Sequence, residues 1–151
     1  MKKFEFRLQR IMEVKEEIEK QKERDFAIAK RKALEEEYKL SEIKIQYENC
    51  WKDIENKTSQ QTVDTSEIRQ YYQYLQKLEG DIERQFICLQ ETNAEVEKRR
   101  DILIEATKER KILENLKGRK LASYQEELNR VEQNFFDEIA GNQYIREKRA
   151  E

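Results

Sequence analysis

Apolar residues recur along the first half of the chain at alternating steps of three and four. Phe4, Leu8 and Ile11 open the stripe, Ile18 follows after a charged gap at Lys15, and a four-residue step past Lys22 shifts the phase. It resumes as Phe26, Ala29, Ala33, Leu40, Ile43, Tyr47, Cys50 and Ile54, with Glu36 as its one charged member. Alternating threes and fours mark the seam of a coiled coil, and an inserted four is a stutter that locally unwinds it. A helix packed into a globular domain shows a wider apolar face.

The second half repeats the pattern. Ile68, Tyr71, Leu75, Leu78, Ile82, Leu89, Val96, Leu103, Ala106 and Leu113 share one stripe. Gln85, Thr92, Arg99 and Arg110 fill its polar positions. A further four–four step leads through Lys117 to Leu121, Tyr124, Leu128, Val131 and Phe135. Between the halves, "NKTSQQTVDTSE" (56–67) has no apolar periodicity, and Asp64, Thr65 and Ser66 are N-cap candidates for the second helix.

These patterns predict an all-α protein: one long antiparallel two-helix coiled coil, a helical hairpin filling residues 1–151 as a single domain. Helix one runs over about 4–57, the turn over about 58–65 and helix two over about 66–146. A turn near residue 60 fixes a register in which the numbers of facing residues sum to roughly 122. Tyr47 then faces the neighbourhood of Leu75, and Trp51 that of Tyr71. The acidic run Glu13, Glu16, Glu17 and Glu19 falls opposite Lys108, Arg110 and Lys111. Cys50 and Cys88 are kept apart as free thiols. Helix two is the longer, so it overhangs the N-terminus from about Arg119 with an apolar stripe unpaired. Such a stripe marks an interaction site, unless the chain folds back at Gly118 or the overhang pairs with itself in a homodimer.

Composition supports helix over disorder. The chain is 42% charged and only 36% hydrophobic, a balance shared by disordered segments and long exposed helices. It has no proline and three glycines, whereas disordered linkers use both freely. No apolar run of about seven residues follows Met1, so no signal peptide is expected. Nothing approaches the ~20 apolar residues of a membrane span. The expectation is a soluble, cytoplasmic protein.

The composition also removes most chemistry. There is no histidine, hence neither the commonest general base nor the commonest metal ligand. "GRKLAS" (118–123) lacks the glycine-rich run that wraps a phosphate. No catalytic residue, cofactor or metal site is expected, and the chain reads as a non-enzyme. Residues 98–120 hold nine basic and four acidic side chains. A nucleic-acid-binding helix is denser in Lys and Arg and free of interleaved acids. With a net charge of −2, nucleic acid is not an expected partner.

Aromatic residues gather where the stripes end. The only tryptophan, Trp51, and four of the seven tyrosines (Tyr47, Tyr71, Tyr72, Tyr74) flank the turn. Phe4, Phe6, Phe135, Phe136 and Tyr144 gather at the other end. Two docking ends joined by a stiff spacer would distribute them this way, since Trp and Tyr contribute disproportionately to binding.

An opening "F.FRL", long charged helices, "YYQYLQKLEGDIERQ" (71–85) after the turn and a late "FDEIA" (136–140) resemble the flagellar export protein FliJ family over the whole chain. The stalk proteins of other type III secretion systems share this architecture. The resemblance implies a coiled-coil stalk, similar to the central stalk of rotary ATPases, in the bacterial flagellum's protein-export apparatus. It implies that the end carrying both termini enters the hexameric ring of the export ATPase FliI and promotes its assembly and activity. It implies that the turn half engages the export gate protein FlhA, and that export chaperones are further partners. Carried onto this chain, gate contact falls on Leu40, Lys44, Tyr47, Trp51, Tyr74, Leu78, Asp81 and Gln85. Candidate ring contacts are Phe4, Phe6, Leu8, Phe135, Phe136, Ile139 and Tyr144, with Arg146, Lys148 and Arg149 at the rim. The expected molecule is a monomer at the base of the flagellum, meeting the inner membrane only through the gate. The alternatives are a structural coiled-coil dimer and a general export chaperone.

Overall fold

The computed structural model describes residues 3–60 and 64–150, apart from the side chains of Glu147, Arg149 and Ala150. Two helices account for nearly all of it: α1 (Gln9–Ser59) and α2 (Thr65–Ala150). They pair antiparallel as a helical hairpin, and no strand occurs among the described residues. Asp64 caps α2, its carboxylate accepting a hydrogen bond from the Ser66 amide at 2.9 Å. The expected turn residues 61–63 lie outside the described residues.

The chain packs as two units, Lys20–Glu105 and Met1–Glu19 with Ala106–Glu151. In the unit of residues 20–105 the apolar core lies nearest the turn. Cys50, Ile54 and Leu75 form a buried cluster against which Tyr47, Ile68 and Tyr71 pack. Leu40, Leu78 and Ala33 are buried further along the same seam. Burying one Leu or Ile contributes about 1.5–3 kcal/mol, so a few layers of this size hold the two helices together. Both cysteines are free thiols. Burial pushes the Cys50 thiol above its ordinary pKa, and Asp53 adds to the effect.

One layer of that seam is polar. Glu36 is only 8% exposed, yet its polar atoms are well supplied with donors. Lys39 Nζ donates to it at 2.8 Å, and Gln85 Nε2 donates both to its carboxylate (2.5 Å) and to its backbone carbonyl (3.1 Å). The Cys88 thiol completes the set at 3.5 Å. The Lys39 ammonium first, then the Gln85 amide, hold the carboxyl down to about 2. Among the described residues no buried side-chain polar atom lacks a partner.

The unit of residues 1–19 and 106–151 is held differently. Among its described residues only Met12 and Ala106 are buried. Polar contacts fill much of its seam: Lys15 reaches Glu109 at 2.6 Å, Glu19 bonds Arg110 and the Thr107 hydroxyl, and Lys117 donates to the Gln9 side chain at 2.9 Å. Burial pushes the Glu19 carboxyl up, but Thr107, Arg110 and Lys111 together outweigh it and leave its pKa lowered.

This pairing corrects the stripe at the start of α1. Ile11 and Ile18 are 48% and 38% exposed, while Met12 and Glu19 face α2. Read through Leu8, Met12, Lys15, Glu19, Lys22 and Phe26, the steps alternate four and three without interruption. The stutter expected past Lys22 is therefore absent. A continuous heptad keeps the two helices in contact, and Arg110 with Thr107 satisfies the carboxylate that the heptad carries inward.

The helix ends also differ from the sequence expectation. α1 starts at Gln9 rather than near residue 4: the Gln9 amide closes a turn onto the Phe6 carbonyl, and the Met12 amide donates to the Leu8 carbonyl in the first helical turn. α2 runs unbroken through Gly118 and Gly141. A helical glycine costs roughly 1 kcal/mol relative to alanine, too little to stop a helix with no proline nearby.

Candidate interaction surfaces

Beside the turn, three aromatic rings form a ladder across the two helices. Tyr47 and Trp51 stand edge-on at 6.4 Å, and Trp51 meets Tyr72 of α2 at 6.0 Å with the rings nearly perpendicular. Edge-to-face pairs of this kind contribute about 0.5–1.5 kcal/mol beyond burial. The Tyr47 hydroxyl donates to Glu79 at 3.0 Å, and Lys57 lies over the Tyr71 ring at 5.2 Å while pairing with Glu67. Trp51 and Tyr72 remain exposed. They wall an open groove of about 440 Å³ completed by Arg69, Gln73, Gln76 and Glu79 over Leu75. Rings that are both braced and exposed offer apolar area at low entropic cost, which is what a protein partner uses.

The eight candidate gate residues do not form one patch. Leu40 and Leu78 are buried in the seam. Gln85 turns inward to Glu36. Trp51 lies with Tyr72 on one flank, with Lys44 one heptad before Trp51 on the same face and exposed. Tyr74 and Asp81, also one heptad apart, lie on the other flank of α2. Asp81 is half-buried and paired with Arg84. Arg69, Gln73 and Gln76 were not legible as groove residues, because exposed polar positions on a helix carry no periodic signal.

The unit that holds the termini offers a second surface. Beyond Leu128 every described α2 side chain is exposed. Val131, Phe135, Phe136, Ile139, Tyr144 and Ile145 are thereby left bare, with the Phe135 and Phe136 rings 6.2 Å apart. Lys148 Nζ stands over the Tyr144 ring at 5.5 Å, and Arg146 is exposed beside it. The side chain of Arg149, also a candidate, lies outside the described residues. Phe4, Phe6 and Leu8 are elsewhere: half-buried on the segment that precedes α1, with the Phe4 ring 5.6 Å from Tyr124. Monomeric proteins seldom leave so large a run of aromatic and aliphatic side chains uncovered unless something binds there.

Among the described residues no cluster of His, Cys, Asp and Glu is placed to hold a metal ion. The sequence model of the family described as flagellar FliJ protein matches residues 4–149. The chain belongs to the FliJ family. No curated protein and no solved structure matches it. As a FliJ-family member it is a component of flagellar protein export, and the family is a non-enzymatic one. Among the described residues of this FliJ-family chain, no helix is long and apolar enough to cross a membrane.

Proposed function

We propose that this FliJ-family chain is the stalk of the export apparatus: it binds the hexameric export ATPase FliI, promotes ring assembly and hydrolysis, and couples the ring to the gate protein FlhA. The observation that carries the ATPase half is the bare face of α2, where Phe135, Phe136, Ile139 and Tyr144 are exposed with no partner from α1. Arg146 and Lys148, with Arg149 of the sequence expectation, supply basic charge at its end. A single asymmetric helix bound in a symmetric ring contacts its subunits unequally. It therefore stabilises different conformations in different subunits, and promotion of turnover is differential affinity of that kind.

The gate half of the proposal rests on the aromatic ladder. Lys44, Tyr47, Trp51 and Tyr72 form the contact on one flank, and Tyr74 with Asp81 reaches the partner from the other. Leu40, Leu78 and Gln85 act beneath it by fixing the helices. Export chaperones are further partners on the same footing, at a site within the apparatus next to the inner membrane.

The test is the hydrolysis rate and hexamer fraction of the cognate ATPase, titrated with the full chain and with a Phe135→Ala/Phe136→Ala variant. The full chain raises both; the double variant needs at least about tenfold more protein, as expected when two anchors costing more than ~1 kcal/mol each are truncated. An ATPase indifferent to the full chain ends the proposal.

A further inference from the structure

Residues Lys3–Leu8 form an irregular segment ahead of α1 in which burial alternates: Phe4, Phe6 and Leu8 are half-buried, whereas Lys3, Glu5 and Arg7 are exposed. Over Lys3–Phe6 a period of two is that of an extended chain laid on a surface by one face, and Arg7 and Leu8 form the turn into α1. That surface is α2. Phe4 packs on Tyr124, and an open groove of about 590 Å³ remains between the segment and Leu116, Lys120 and Tyr124. A second hollow, about 700 Å³ and rimmed by Lys3, Arg7, Arg10 and Lys117 together with Glu5 and Glu13, opens beside the same segment. The segment therefore rests on α2 through a few half-buried rings with space beside it.

What it covers is the beginning of a longer stripe. Tyr124 and Leu128 are half-buried, and the three-and-four spacing continues directly into Val131 and Phe135, which are bare. A partner seated on the bare part would gain apolar contact by extending toward Tyr124, and the N-terminal segment stands in the way.

We propose that Lys3–Leu8 is a displaceable strap, an intramolecular competitor for the α2 face that the ring ATPase occupies. The identity of that partner rests on the function proposed above; the strap and its platform are features of this chain alone. The strap reverses the expected role of Phe4, Phe6 and Leu8. They hold the face closed rather than contact the ring, and the apparent affinity is lowered by the fraction of molecules in which the strap is down.

Two readouts test this. A Trp51→Phe/Tyr124→Trp chain places the only indole under the strap. Its emission changes when the ATPase replaces the strap over it, and is shifted to longer wavelength in the free chain when Phe4→Ala and Phe6→Ala are added. In an otherwise native chain, Phe4→Ala/Phe6→Ala lowers the concentration for half-maximal ATPase stimulation by about threefold or more. An indole whose emission ignores either change overturns the strap, as does a double variant that stimulates only at equal or higher concentration than the native chain. Those failures occur with the native chain still active on the ATPase. A native chain without effect removes the proposed function, and the competition with it.

Discussion

Glu36 shows how a charged residue is kept in an apolar seam. Its carboxylate is enclosed by Lys39, Gln85 and Cys88, each of which donates to it. Its folded pKa of about 2 lies below the ordinary value of 4.5, so folding favours the charged form. The contribution is complete above about pH 4.5 and is lost as pH falls toward about 2. Glu19 is shifted in the same direction and adds to the same acid limb. A Glu36→Gln chain therefore melts lower than the native chain at pH 7, and the gap narrows steadily between pH 4.5 and pH 2 when melting is followed by circular dichroism. A gap independent of pH over that window would mean that the carboxylate's charge contributes nothing there. Glu36 could be recognised in the sequence as an intruder in the stripe. Its partners across the seam could not, because Gln85 and Cys88 meet it only through the pairing of the two helices.

At the scale of elements, both helices draw their stability from a narrow seam, and α2 tolerates glycine where that seam does not depend on it. Gly118 lies within continuous helix, and a Cβ built there meets nothing within 4 Å. Gly118→Ala is expected to stabilise the chain by about 0.5–1 kcal/mol, read as a higher urea midpoint at unchanged slope. If the chain folded back at this residue, alanine would instead destabilise it. The start of α1 carries the opposite lesson. Ile11 and Ile18 looked like seam residues because they are apolar and suitably spaced, yet Met12 and Glu19 occupy the seam. Sequence spacing allows either face when both carry three-and-four steps. The choice falls to the helix across the seam, which presents Arg110 and Thr107 at that level.

For the molecule as a whole, the antiparallel pairing gives the buried seam of each helix its partner within one chain and leaves α2 bare beyond Leu128. Cys50 and Cys88 are free thiols in this chain. Light scattering at micromolar concentration is expected to give the mass of one chain, unchanged by reductant. A dimeric mass would favour the structural coiled coil and place the bare α2 face in a contact between copies. The two aromatic surfaces belong to this scale as well. The first joins the two helices through Trp51 and Tyr72, and the second is a run along α2 alone, next to the place where Phe4 packs on Tyr124. The aromatic clustering at both ends was legible; which rings brace one another, and which stay open to a partner, was not.

Local rules were enough to determine that this chain is helical and that it turns once. Heptad spacing, absent proline and a capping aspartate act within a few residues of where they stand, and each can be read without knowing the partner helix. Family membership comes from the same linear order of features, matched over residues 4–149. What the tertiary structure decided is which of two plausible faces becomes the seam, and which apolar residues remain uncovered. Those outcomes depend on side chains roughly a hundred residues apart, as with Gln9 and Lys117 or Phe4 and Tyr124. Burial is a property of the pair of helices, and a stripe on one of them specifies only what is available to be buried.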